Sequence, residues 1–270
     1  MHADTLHPTL TAAIDRLESG EPAEALGILT GYTAQHPNDP EGHYYTGDAL
    51  AELGRLDEAI SAYRTGLTHA PDDPDALTTL GDLQLEGGHH QQALACYRRV
   101  QELDPSDTDA LVSIGLVYNA LERGDEAIAA FRQALEQEND NVFAWNALGD
   151  ALYGQGEHQQ AVDAYRKGIE LAPEDPASYH NLGELLYDLE EYDDAEEYCL
   201  EAVKLDPTFS MSYLTLGGIC MDQDRMEDAM KYYNLYLKHE RSPQATDMLA
   251  EVKAVVEGLR EELGAPPSRK

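Results

Sequence analysis

Apolar side chains recur along this chain at helical spacing, and the helical stripes themselves recur. Between residues 142 and 175, Trp145, Leu148, Gly149 and Tyr153 mark one helical face, which Gly154, Gln155 and Gly156 interrupt. Ala161, Tyr165, Gly168 and Leu171 mark a second face, stopped by Pro173. The same design returns every 34 residues. Gly47, Gly81, Gly115, Gly149, Gly183 and Gly217 form one column; Ala25, Ala59, Ala93, Ala127, Ala161, Ala195 and Ala229 form another. A third column holds Pro37, Pro71, Pro105, Pro173 and Pro207, with Asn139 in the vacant place. A fixed period with aligned columns predicts an array of helix pairs.

Boundary residues set the phase of the array. Asp39-Pro40, Asp73-Pro74 and Asp175-Pro176 place an N-cap acceptor before a proline at the first helical position, and Asp107 and Asn141 keep the cap without it. Gly54, Gly88 and Gly156 are C-cap candidates for the first helix of a pair. Acid pairs such as Asp57-Glu58 and Asp125-Glu126 open the second, where the helix dipole favours negative charge. Seven units are expected over 6–243, after a frayed leader at 1–5. An amphipathic capping helix at 244–263 carries Leu249, Val252, Val256, Leu259 and Leu263 on one face, and residues 264–270 are expected to be disordered. Glycine costs a helix interior about 1 kcal/mol relative to alanine. Its recurrence therefore predicts a close helix crossing, with the alanine column opposite and Tyr63, Tyr97, Phe131, Tyr165 and Tyr233 filling the wider seam. Cys199 takes the aromatic's place in the sixth unit.

Trp145, Leu148-Gly149, Ala161 and Tyr165, with Tyr179, Leu182-Gly183, Ala195 and Pro207 one unit on, resemble the tetratricopeptide repeat family. The resemblance implies an all-α fold: a right-handed α-solenoid of tandem helix-turn-helix repeats, closed by a C-terminal capping helix. It further implies that the first helices line a concave groove that binds peptides. The groove positions it assigns include Tyr44, Asp48, Asp82, Phe143, Asn146, Asp150, Tyr153, His180, Glu184, Tyr187 and Met221. Asn181 matches the asparagine with which family members hold a ligand backbone. Phe143 stands out as an aromatic with little structural work, and Tyr153 and Tyr187, one unit apart, form an aromatic ledge. Inter-repeat packing is the competing role for all three. The principal groove columns contain no lysine or arginine, so the family's clamp for a C-terminal carboxylate is missing.

Charge narrows the partners. The chain has 52 acidic and 18 basic residues, a formal charge of −34. Such a chain repels nucleic acid and anionic membrane surfaces, which leaves a neutral or basic protein or peptide as the expected partner. Only six of the cations are lysine, and together with scarce phenylalanine this resembles salt-adapted cytosolic composition; partner choice is the other source of the acidity. Cys96, Cys199 and Cys220 follow no metal or redox spacing. They read as reduced fillers in a cytoplasmic protein. His89-His90 lacks a third ligand at helical spacing, and no cofactor motif or catalytic constellation accompanies the acids, so no enzyme is expected. Arg98, Arg132 and Arg166 precede Glu102, Glu136 and Glu170 by four residues, the spacing of solvated helical ion pairs. A protein-interaction module is the first expectation. A self-assembling homo-oligomeric scaffold, or a detached binding arm of a larger secretion or glycosyltransferase machine, is the alternative.

Overall fold

The computed structural model describes residues 7–264, so the leader assigned to residues 1–5 and all but the first residue of the expected tail lie outside the described residues. Fifteen α-helices and one short 3-10 turn make up the regular structure among them. The chain divides into two compact units, one ending at Asn139 and one beginning at Asp140.

The first unit consists of α1 (Pro8–Glu18), α2 (Pro22–Gln35), α3 (Pro40–Glu52), α4 (Leu56–Leu67), α5 (Pro74–Glu86), α6 (His90–Leu103), α7 (Thr108–Ala120) and α8 (Gly124–Gln137). The second consists of α9 (Val142–Gly154), α10 (His158–Leu171), α11 (Pro176–Asp188), α12 (Tyr192–Leu205), α13 (Ser210–Asp222), α14 (Met226–His239) and α15 (Thr246–Glu262). Within each unit, odd- and even-numbered helices pack as consecutive pairs, and each pair packs on the next.

The caps act as their chemistry requires. Asp73, Asp107 and Asn141 each accept a hydrogen bond from the backbone N–H three residues on, at 3.1, 2.8 and 2.9 Å. At the other end of α3, the Gly54 N–H donates to Ala51 O and the Arg55 N–H to Leu50 O, closing a Schellman turn. Gly54, Gly88 and Gly156 take φ of +71°, +72° and +76° there. Gly20 holds the equivalent position between α1 and α2 at +71°, and in the remaining pairs Glu122, Glu190 and Asp224 adopt φ of +57°, +61° and +58° without being glycine.

The glycine column is covered by rings. A Cβ at Gly115 would lie 2.5 Å from the Phe131 ring, and one at Gly81 would lie 2.7 Å from Tyr97. The sequence led us to expect alanine opposite the glycine, but the crossing is closed first by the aromatic column. The alanines are nevertheless fully buried, and the Ala195 carbonyl would stand 3.2 Å from a Cβ at Gly183. Where Cys199 replaces the ring, its sulfur fills the same place, 2.6 Å from that Cβ position. In α15, Val252, Val256 and Leu259 are buried and Leu249 is half-buried, while Leu263 lies exposed past the helix end. Met248 and Val255 are exposed too, so the cap's outer surface is less polar than its charged residues suggest.

Candidate functional site

Three of the acids expected to face a ligand already have a structural partner. Tyr63 donates its hydroxyl to Asp48 at 2.5 Å and Tyr97 to Asp82 at 2.6 Å in the first unit; Tyr165 donates to Asp150 at 2.7 Å in the second. Donor and acceptor are 15 residues apart in every case. The pair α7–α8 carries Leu116 and Phe131 at these two places, so acid and hydroxyl disappear together. Burial pushes the Asp48 and Asp150 carboxyls up, while the tyrosine hydrogen bonds oppose the shift. Tyr44, assigned to the groove by resemblance, is only 8% exposed, stacks on Tyr63 with ring centroids 5.5 Å apart, and covers Gly66. It packs in the seam and presents no face to a ligand.

Four candidates in the second unit are engaged within it. The Asn146 amide donates to Ser178 Oγ at 2.9 Å, and Ser178 Oγ donates to Asp175 at 2.9 Å. This clasp joins α9 to α11. Met221 packs beside the buried cluster of Cys220, Ala229 and Leu259. Tyr153 donates to Asp188, and Tyr187 to Asp222 at 2.9 Å, each reaching the next helix pair. Their rings contact His158 and Tyr192, with centroids 5.7 and 5.9 Å apart. Both rings are half-buried, and their hydroxyls are held by acids that the sequence reading passed over. The recurrence of Asp188 and Asp222 at the 34-residue period was the available signal.

Four positions remain open. Phe143, in the first turn of α9, is 58% exposed, the highest value among the exposed large hydrophobic residues. Met211, at the same place in α13, is also exposed. Asn181 is half-buried, and no hydrogen bond to its amide forms among the described residues. Glu184 is exposed, yet its carboxyl is held above the ordinary range by desolvation, then by the charges of Asp188 and Asp150. Below it, His180 is 6% exposed; its Nε2 lies 3.7 Å from Glu184, and its ring centroid lies 5.4 Å from that of Phe209. Burial lowers the His180 pKa to about 4, so the imidazole is neutral near pH 7.

The arginine column differs from its expected pairing. Arg98 donates to the Tyr118 hydroxyl at 2.5 Å, while Glu102 is taken by Arg99 at 2.8 Å. Glu170 likewise pairs with Lys167 at 2.8 Å instead of Arg166. The i,i+3 neighbour wins in both cases, leaving the i,i+4 pairs unmade. Among the described residues no group of three or more His, Cys, Asp or Glu side chains is arranged to hold a metal, and no helix is long and apolar enough to cross a membrane.

Pairs of helices with a Gly–aromatic crossing, stacked through small buried residues, define the class of tandem-repeat α-solenoids. The tetratricopeptide repeat model matches residues 10–74, 78–142, 122–176, 146–210 and 180–246, and the chain belongs to that family. No curated protein sequence matches it. Among solved structures it is similar to MamA from Desulfovibrio magneticus RS-1, with 26% identity over 62% of this chain and 97% of that one, at a TM-score of 0.57. A tetratricopeptide repeat protein from Parabacteroides merdae shares the fold more extensively, with a TM-score of 0.76 over 93% of this chain and 97% of that one at 18% identity. PilF of Pseudomonas aeruginosa matches 70% of this chain and 90% of its own at 23% identity and a TM-score of 0.58. Family and neighbours support a protein-interaction or scaffold role.

Proposed function

We propose that the first-helix face of the second unit binds a neutral or basic peptide segment or helix of a partner protein, without enzymatic chemistry. The observation that carries this reading is Phe143, an aromatic left 58% exposed on α9, while Asn181 and Glu184 are left open on α11, the first helix of the next pair. Burying a side chain of this size contributes about 1.5–3 kcal/mol, enough for roughly tenfold in affinity or more. The three buried free cysteines are consistent with a reducing, cytoplasmic setting.

Random peptides displayed on phage, selected on the full chain and then measured by fluorescence anisotropy, test the assignment. Phe143→Ala should weaken the selected peptides at least tenfold while shifting thermal unfolding by only a degree or two. Intact binding with a large loss of stability would remove Phe143 from the site. A second reading, a homo-oligomeric scaffold, is favoured by the exposed Met248 and Val255 on α15. Light scattering over the micromolar range separates the two, since a monomer throughout eliminates the scaffold.

A further inference from the structure

We propose that the crevice between α10 and α12, floored by α11, binds a small zwitterion that carries a methylated ammonium and a carboxylate. Arg166 takes the carboxylate, and Tyr179 and Tyr198 take the ammonium. The site uses none of the residues assigned to the Phe143 face.

Arg166, Tyr179, Asp194, Glu197, Tyr198 and Glu201 line a cavity of about 250 Å³. Two periods earlier, α6, α7 and α8 border a cavity of about 290 Å³, with Arg98, Leu111, Glu126, Ala129, Ala130 and Gln133 at the same six places. The crevice is thus a recurring product of the stacking, and only its contents differ. In the first unit, Arg98 is taken by the Tyr118 hydroxyl at 2.5 Å. Leu186 stands at the place of Tyr118 in the second unit, and Arg166 has no hydrogen bond, ion pair or ring contact among the described residues. The walls change with it: Tyr179 replaces Leu111, and Tyr198 replaces Ala130.

The two rings stand together, with centroids 6.4 Å apart and planes inclined at 41°, and neither hydroxyl has a hydrogen-bond partner among the described residues. One period later, Tyr213 and Tyr232 repeat the pair at 6.5 Å, and there the protein supplies a cation itself. Lys231 Nζ lies 5.2 Å from the Tyr232 ring centroid. Lys231 occupies the place of Glu197, so the Tyr198 ring has an acid beside it where Tyr232 has an ammonium. Glu201 is already paired with Lys204 at 2.8 Å, whereas Asp194 and Glu197 are exposed and form no ion pair among the described residues. The faces of tyrosine rings attract quaternary ammonium groups, and the two free carboxylates add to that attraction. A cation alone would leave Arg166 without a counter-ion. A carboxylate on the same molecule gives the guanidinium the planar, two-point acceptor that it matches. A small cavity with a few fixed polar groups is the usual form of such a site.

The test titrates three probes into the full chain by heteronuclear NMR: trimethylglycine; choline, which lacks the carboxylate; and 3,3-dimethylbutanoate, in which carbon replaces the charged nitrogen. Trimethylglycine should shift the resonances of residues 166, 179 and 194–201 and bind at least about fivefold more tightly than either other probe. Arg166→Leu, which copies Leu200 of the next repeat, should erase the advantage over choline without weakening choline itself. Tyr198→Ala, which copies Ala130, should abolish binding, while Tyr198→Phe retains it. The three probes decide the question in the unaltered chain even where a variant fails to fold. Equal binding of trimethylglycine and 3,3-dimethylbutanoate would overturn the ammonium site, and equal binding of trimethylglycine and choline would overturn the role of Arg166. Absence of saturable shifts at tens of millimolar would overturn the proposal outright. None of these results bears on peptide binding at Phe143.

Discussion

Replacing the Tyr165–Asp150 pair by the Phe–Leu pair found at Phe131 and Leu116 tests whether these acids serve the seam. Tyr165 is 2% exposed and donates to Asp150 at 2.7 Å. Tyr165→Phe removes a hydrogen bond to a charged group, worth about 1.5–3 kcal/mol; because Asp150 remains open to water, a value near the lower limit is expected. Asp150→Leu strands a buried phenol that water cannot reach, and its cost should approach the upper end of the roughly 1–3 kcal/mol assigned to an unsatisfied buried group. Added independently, the two changes would cost about 4 kcal/mol. The double variant restores an apolar match already used elsewhere in the chain and should cost about 1 kcal/mol, leaving a coupling of about 2–3 kcal/mol. Urea unfolding of the four proteins, followed by circular dichroism, measures the cycle. Additivity within about 0.5 kcal/mol would refute the reasoning, because uncoupled sites behave that way.

Other expectations follow from the turns and charges. Glu190→Gly should stabilise by a few tenths to about 1 kcal/mol, since the left-handed conformation costs a residue with a Cβ about 1–2 kcal/mol and glycine's extra chain entropy returns part of the gain; Gly156→Ala should destabilise, and a loss of melting temperature in Glu190→Gly would contradict the account. The melting temperature should rise between low salt and molar potassium chloride as the −34 charge is screened, the Debye length falling from about 10 Å at 0.1 M to about 3 Å at 1 M; a flat response would return the acidity to partner choice. Glu184 has a raised folded pKa, so its stabilising contribution is complete below the unfolded value and is lost as pH rises through the folded one. Glu184→Gln should therefore melt higher than wild type at pH 7, with the advantage gone by pH 4. His180 has the opposite sign: its depressed pKa makes stability fall as pH drops from its ordinary range toward about 4. In His180→Asn that part of the acid loss should vanish from a pH series of melts.

The fold was legible because its signals are local and repeated. Caps, proline stops and the Gly–aromatic columns each constrain backbone geometry directly, and 34-residue copies amplify them. Glu122, Glu190 and Asp224 were harder to read, since only their alignment with Gly54, Gly88 and Gly156 identifies a left-handed turn. At the candidate site, position in the first helix did not reveal which side chains were already engaged. Asp48, Asp82 and Asp150 serve tyrosines 15 residues later, a relation visible in the joint change to Leu116 and Phe131. Asn146 and Ser178 similarly depend on each other across a repeat boundary, and no single-repeat pattern contains both. Arg98 and Arg166 show the limit of spacing rules: their i,i+4 acids exist, but a nearer cation reaches each first.

The ledge of the second unit has a mechanical consequence. Tyr153–Asp188 and Tyr187–Asp222 fasten successive pairs along the first-helix side, while the Arg225–Glu196 bridge fastens a junction from the second-helix side. Bending in either direction must stretch one row of fasteners, so this stack resists curvature changes from both sides. The corresponding ledge positions of the first unit, Ala51, Leu85 and Asn119, offer no phenol, whereas Arg99–Asp72 ties the second-helix side. That unit is hinged like a book bound along one spine. Under a pulling force it should open along its first-helix edge before the second unit yields, and cutting Tyr153 and Tyr187 back to phenylalanine should make the two equally compliant.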